Sequence, residues 1–192
     1  DITHHKDLEN SLRLGETKMR SIFKAAPIGI GVVSQRVFTE VNDLFCDMVG
    51  YSREELINHS SRMVYISDQE YEKVGRIKYE QIHEKGVGTV ETQLQRKDGS
   101  VFDVLLSSCP IDFDDLSAGV SFTALDITKA KETEKLLREN EDKYRSMMES
   151  MIDPVCICSS DKKIVYMNAA MIKRVGRDTT GENCHKSLHD LD

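Results

Sequence analysis

Apolar positions along this chain recur with two periods, and the switches between them mark out its elements. Over residues 4–25, Leu8, Leu12, Met19 and Ile22 step by four and three, with Gly15 in the slot between Leu12 and Met19. That is the heptad-like seam of an amphipathic helix, weakened at Gly15 by the ~1 kcal/mol that glycine costs in a helix interior. Pro27 stops this helix and pushes Ala26 out of the helical region. Two short strands are predicted next, IGIGVVS at 28–34 and VFTEVN at 37–42, joined by a tight connection. NDLFCDMVG, 42–50, has the form of a short helix capped by Asn42 and ended by Gly50. Ser52 and Glu55 have the spacing of a capping box for another.

Residues 67–86 form the clearest interior helix, with Ser67 or Asp68 as its cap, Gly86 as its stop, and Tyr71, Val74, Ile77 and Ile82 towards the core. The period then becomes two. Val90, Thr92 and Leu94 share one side of a strand and Glu91, Gln93 and Gln95 the other. Lys97-Asp98-Gly99 supplies a hairpin turn, SVFDVLLSSCPI the return strand, and AGVSFTALDIT a last strand after the turn at Asp114 and Asp115. The fold class is therefore α+β: a five-stranded antiparallel sheet with short helices on one face, flanked by N-terminal and C-terminal amphipathic helices.

After Thr128 the texture is charged, strongly helix-forming and free of Gly and Pro. Ala130, Thr133, Leu137, Asn140, Tyr144, Met147 and Met151 step by three and four, a linker helix with the seam of a coiled coil in which Asn140 would fix register. From Pro154 the opening pattern returns: helix, Pro, apolar strand, tight connection, strand, Asn, helix, Gly. Asn42 and Gly50 recur as Asn168 and Gly176 at the same internal distance. The repeat ends at Asp192, before any equivalent of the three long strands, so it cannot close the same core. The expected organisation is 1–26, an N-terminal amphipathic helix with a dimerisation seam; 27–128, one α+β domain; 129–151, a linker helix with the seam of a coiled coil; and 152–192, the start of a second, truncated copy.

Composition narrows the function classes. A net charge of -7 with no basic cluster interleaved with aromatics argues against nucleic acid as a partner. No apolar run approaches a membrane span. The five cysteines, Cys46, Cys109, Cys156, Cys158 and Cys184, are odd in number and scattered. A reduced, cytoplasmic setting is the simpler reading. The chain opens on Asp1, not Met, and is read as cut from a longer protein.

The organisation resembles the PAS domain family of bacterial signalling proteins. Carrying the resemblance are Pro27 before the first strand, Asn42 after the second, Val49-Gly50-Tyr51-Ser52-Arg53-Glu54-Glu55-Leu56, Arg96-Lys97-Asp98-Gly99 in the hairpin, and Asp126-Ile127-Thr128 at the exit. It covers residues 21–128, with 147–192 as the start of a second copy. The resemblance implies a sheet whose concave face and helices enclose an interior holding haem, flavin, a small organic molecule or only side chains. Flanking helices then relay a change to an output module. Asp126, Ile127 and Thr128, with Leu137 and Tyr144 on the linker, are the expected relay residues. Asp126 and Thr128 can also satisfy backbone donors where the helix starts.

Chemistry of an enzymatic kind is not legible. No nucleophile and base, HExxH motif or phosphate loop is present, and the GIG at 29–31 is too short for a dinucleotide fingerprint. His4 and His5 fall in a terminal helix, and His59 is expected to face water. In haem-binding relatives a histidine on the long interior helix is an axial ligand. His83 lies on that helix, yet near its C-terminal turn, where a solvated cation suits the dipole. The flavin-photoreceptor branch has a cysteine in an Asn-Cys-Arg motif where this chain reads NHSSRMVYIS, without one. Cys184, His185 and His189, with Cys156 and Cys158, raise a metal or redox role in the intact parent but form no complete site.

Two functions remain. The first is the non-catalytic input region of a bacterial signal-transduction protein, with a kinase or diguanylate cyclase output elsewhere in the parent. It would bind a small molecule or partner in a pocket drawn from Ile30, Val32, Phe45, Met48, Met63, Tyr65, Ile77, Phe102, Val104, Leu106, Phe122 and Ala124. It would act as a homodimer through the stripes on its flanking helices. The second is a ligand-free interaction and dimerisation scaffold, in which the same residues are plain core.

Overall fold

The computed structural model describes residues 2–113, 115 and 118–187, and only the backbone of residues 2–12 and 16. The side chains of His4, His5, Leu8 and Leu12, and residues Asp114 and His189, lie outside the described residues. The chain divides into two compact units, residues 1–130 and 131–192.

The first unit opens with α1 (Ile2–Ala25), followed by β1 (Gly29–Ser34) and β2 (Val37–Val41). Then come α2 (Asp43–Val49), α3 (Arg53–Leu56), a 3-10 turn (Ser61–Val64) and α4 (Asp68–Lys85). The long strands β3 (Gly88–Gln95), β4 (Val101–Pro110) and β5 (Val120–Asp126) complete it, and α5 (Thr128–Ser150) leads out. All strand pairs are antiparallel, in the order β2-β1-β5-β4-β3. The last strand thus sits in the centre, beside the first.

Local chemistry fixes the boundaries. Asn42 caps α2 through Phe45 N, and Gly50 ends it at φ 74°. Ser52 and Glu55 form a reciprocal capping box on α3. Ser67 caps α4, and Gly86 closes it with a donor to the Ile82 carbonyl.

Registry aligns the inner face. Leu94 faces Phe102, Thr92 faces Val104, and Val90 faces Leu106, which in turn faces Ala124. Phe122 pairs with Gly31 and Ala124 with Gly29. A Cβ on Gly31 would lie 2.6 Å from the Phe122 ring and 2.6 Å from the Glu40 carbonyl oxygen. The inward positions of β1 are therefore glycine because rings occupy the space in front of them. Phe38, Phe45 and Phe122 meet there at centroid distances of 5.0–5.8 Å, a mutually tilted cluster. The core continues through Val41, Val49, Leu56, Val64, Val74 and Leu94.

The second unit holds β6 (Cys156–Cys158), β7 (Ile164–Met167), α6 (Ala169–Val175) and α7 (Cys184–Ser187). Its strands pair antiparallel as a two-stranded sheet, and Ile164, Met167 and Met171 make a small core.

Candidate functional site

Between the sheet and α4 lies a cavity of about 40 Å³ lined by Val33, Phe38, Phe45, Ser61, Val64, Tyr65, Lys78, Leu94, Leu106 and Phe122. A second space of about 40 Å³ adjoins it and shares Val33, Ser61, Tyr65 and Lys78. Its other walls include Arg36, Tyr71, Gly75, Tyr79 and Ser108. The first is mostly apolar and aromatic; the second mixes these polar side chains with the apolar walls of Val33, Ile82 and Val120. At roughly 10–15 Å³ per water, each holds about three small atoms' worth of occupant, far below the ~300–1,000 Å³ of drug-sized sites.

Lys78 sits on the seam between the two spaces. Its Nζ donates to Ser108 Oγ at 3.0 Å. Burial pushes its ammonium down to about 8, with nearby Arg36 adding to the effect. Tyr65 is buried, and burial pushes its phenol up. No hydrogen bond joins the Tyr65 hydroxyl to another described residue.

Arg36 enters from the β1–β2 turn, where Gln35 and Arg36 both have positive φ, 49° and 65°. This is left-handed backbone that non-glycine residues adopt at a cost. Its guanidinium stacks 3.6 Å from the Tyr71 ring centroid and pairs with Glu72 at 2.9 Å. It crosses α4 at Gly75, where a Cβ would lie 2.1 Å from Nη2.

The exit from the sheet is clamped. Arg96 donates to the Met48 carbonyl at the end of α2 and to Asp126 Oδ2 at 2.9 Å. It also lies 4.0 Å over the buried Phe102 ring. Asp126 Oδ1 accepts from Thr128 N at 2.9 Å. Partial burial raises the Asp126 carboxyl, but hydrogen bonds from Thr128 and Arg96 outweigh it and hold the group below its ordinary value. Thr128 reaches across to β4, where Asp103 N donates to its Oγ1 at 3.0 Å. Ile127 N donates to the Asp103 carbonyl at 2.9 Å. The start of α5 is thus bound to the strand carrying Phe102 and Val104.

Four of the sequence-expected pocket residues, Phe45, Tyr65, Leu106 and Phe122, line the apolar cavity. Phe102, Val104 and Ala124 belong to the same core without lining it, and Met48 and Met63 pack at its edge. Ile77 is half-buried on α4, away from the cavity lining. Ile30 and Val32 lie on the other face of the sheet. They border an open groove with Met19 and Phe23 of α1, because Gly29 and Gly31 take the inward positions of β1. Val33, two residues beyond Gly31, takes the next inward position by alternation, and the bulge beside it falls on β2, where Val32 pairs with Glu40 but Val33 with Phe38. Lys78, Arg36 and Ser108 were missed. The signal for Lys78 was its spacing: Val74, Lys78 and Ile82 step by four along one face of α4.

On α5, Leu137 and Tyr144 are exposed, as are Leu136 and Met147 and, just past its end, Met151, and the helix buries no residue. His83 and His59 are exposed. In the second unit Cys156 and Cys158 bring their Sγ atoms to 3.8 Å, and Cys184 packs against the same small core. Among the described residues no group of three metal-ligating side chains forms a site, and no helix is long and apolar enough to cross a membrane.

The family model for the PAS domain matches residues 27–129, and that for the PAS fold matches residues 142–191. The chain belongs to the PAS domain family. Among curated proteins, the sensor protein TdiS of Thauera aromatica is 29% identical over 127 residues, which make up 66% of this chain. Sporulation kinase E of Bacillus subtilis (strain 168) is 24% identical over 177 residues, 90% of this chain. The matched part spans 23% of the length of each. Among solved structures, one is the PAS domain of a LuxR-family transcriptional regulator from Burkholderia thailandensis, in complex with ethanol. It is 27% identical, covering 56% of this chain and 96% of that one, with a TM-score of 0.51. The PAS domain of a Colwellia psychrerythraea protein has the same fold, with a TM-score of 0.54 at 22% identity, covering 59% of this chain and 97% of that one.

Proposed function

We propose that this chain is the sensory input region of a signal-transduction protein, cytoplasmic, with residues 27–128 as the PAS domain that binds a small molecule. The observation that carries this reading is the connection between interior and exit. One side chain, Arg96, touches a core ring, the end of α2 and the carboxylate that caps α5. A ligand that prefers one packing of the Phe102 face biases that clamp, and hence the helix. The names of the sensor and kinase relatives support an output of that kind in the parent. The ethanol complex of the Burkholderia domain supports a very small ligand.

Homodimerisation through α1 and α5 is part of the proposal. Leu14, Met19 and Ile22 on α1, and the apolar residues of α5, are exposed in the single chain, as an unpaired seam would be. Sedimentation velocity tests it: a dimer is expected, and a monomer at high concentration rejects that part.

The second reading, a ligand-free interaction scaffold, is favoured by the small size of the cavity. Native mass spectrometry of the purified chain separates the two. A retained small molecule, or saturable uptake of one, supports sensing. A clean apo mass that no small molecule shifts leaves the scaffold.

A further inference from the structure

The polar groups around the cavity are unbalanced. A lysine ammonium has three hydrogen-bond donors, and Lys78 uses one on Ser108. No carboxylate pairs with it among the described residues, and its one charged neighbour is a second cation, Arg36. Arg36 is already matched by Glu72 and the Tyr71 carbonyl. The Tyr65 hydroxyl adds a further donor on the same walls. Several donors and one uncompensated positive charge therefore face a space whose far wall is Phe38, Phe45, Leu106 and Phe122.

A half-buried ammonium with no opposite charge beside it is costly, more so than a neutral hydroxyl that lacks an acceptor. Water would supply acceptors but no charge. A carboxylate supplies both, because it is acceptor-only with about four lone-pair sites. The aromatic wall calls for an apolar tail, and the volume limits that tail to a few carbons. A phosphate would bring more charge than one ammonium balances and nothing for the rings.

We propose that the PAS cavity of residues 27–128 binds a short-chain monocarboxylate, its carboxylate on Lys78 Nζ and the Tyr65 hydroxyl and its alkyl end against Phe45, Leu106 and Phe122. This rests on the small-molecule reading above and names the ligand class for it. Arg36 sets the positive potential of the polar space without being spent on the ligand.

The test is calorimetric titration of the full chain with sodium propionate, propionamide, propanol and sodium phosphate at matched ionic strength, on the wild type, Lys78→Met, Lys78→Arg and Tyr65→Phe. Propionate is expected to bind saturably and about tenfold or more tighter than either neutral analogue or phosphate. Lys78→Met is expected to lose about 10- to 100-fold for propionate and little for propanol. Tyr65→Phe should lose a smaller factor, and Lys78→Arg should retain most of the preference. If Lys78→Met does not fold, as judged by its circular dichroism melt, the wild-type preference for propionate over propionamide decides. Propanol binding as well as propionate overturns the carboxylate assignment while leaving a small-molecule cavity. Phosphate binding as well as propionate overturns it as well, leaving a bare anion site. No uptake of any probe overturns both the assignment and the reading beneath it.

Discussion

Asn42 holds Phe23: its Nδ2 donates to the Phe23 carbonyl oxygen at 3.1 Å. The same nitrogen donates to the Ile28 carbonyl, and Oδ1 accepts from Ile30 N and Phe45 N. One buried side chain thus ties the end of α1 to β1 and to the cap of α2. In the second unit Asn168 does the same work. Its Oδ1 accepts from Val155 N and Met171 N, and its Nδ2 donates to the carbonyls of Met148 and Asp153. The repeated Asn is a tether between a flanking helix and the strand pair it precedes.

Asn42→Ala removes a cap and leaves buried backbone groups unpaired. The expected loss is about 2–4 kcal/mol by urea denaturation. Asn42→Ser, which restores only the cap, should recover about 1 kcal/mol of it. Amide exchange at Ile30 and Phe45 should speed up in both variants, less at Phe45 in the serine variant. Equal losses for Ala and Ser would show that the links to Phe23 and Ile28, not the cap, carry the whole effect. A loss below about 0.5 kcal/mol for Ala would reject the tether.

The clamp at the sheet exit should release α5 without melting the domain. Asp126→Ala removes the acceptor for Arg96 and for Thr128 N, and Thr128→Val removes the link to Asp103. A double-mutant cycle of Arg96→Met with Asp126→Ala should give a coupling of about 0.5–1.5 kcal/mol. Exchange at residues 128–132 should rise while Val104 and Leu106 stay protected. Because the folded carboxyl of Asp126 is held low, its contribution is present above the unfolded value of about 3.9 and is lost as pH falls through the folded value. Unchanged exchange over 128–132, or loss of protection throughout, contradicts a local clamp.

Lys78 should make the domain more stable in mild base. Its folded value is about 8 against 10.5 for the free side chain. Between those two values the unfolded chain binds the proton that the folded chain has released, so stability rises with pH across that window. Below about 8 both states are protonated and the cost of burying the charge is constant. The groups facing Lys78 are Arg36, Tyr65, Tyr79 and Tyr71 across the polar space, and Ser108. Tyr65 stays neutral there because burial has pushed its phenol up. Lys78→Met should be about 1–3 kcal/mol more stable at pH 7, less the lost bond to Ser108. It should also show no rise over this window. Parallel pH profiles for the two proteins would disprove it.

How far the sequence went follows from which signals are local. Caps, turns and periodicity are written within a few residues. Hence Asn42, the Ser52 and Glu55 box, Ser67, Gly86 and the three long strands were legible, and with them the PAS fold. The facing of β1 was not. Alternation put the large residues Ile30 and Val32 inward, but what decides is Phe122, some ninety residues later in the chain, whose ring needs the space that Gly31 leaves. Lys78 went unnoticed for the opposite reason: a charged side chain does not read as a core residue, although its spacing with Val74 and Ile82 puts it on their face of α4. Arg96 was visible as part of a hairpin motif, yet its partners Met48, Phe102 and Asp126 are joined to it only by the fold.

Gly31 is where this dependence is sharpest. Its Cβ would meet the Phe122 ring at 2.6 Å and the Glu40 carbonyl oxygen at 2.6 Å. The ring can yield only by moving into Phe38 and Phe45, which pack against it, and the carbonyl belongs to the paired strand β2. Gly31→Ala should therefore cost about 1–3 kcal/mol through overpacking, although alanine ordinarily suits a strand better than glycine. Phe122→Leu in the same chain vacates the ring atoms. It should recover part of the Gly31→Ala loss, so the double mutant falls short of the sum of the singles by about 0.5–1.5 kcal/mol. Thermal melts of the four proteins settle this. Simple additivity would mean that the Glu40 carbonyl, not the ring, sets the demand for glycine.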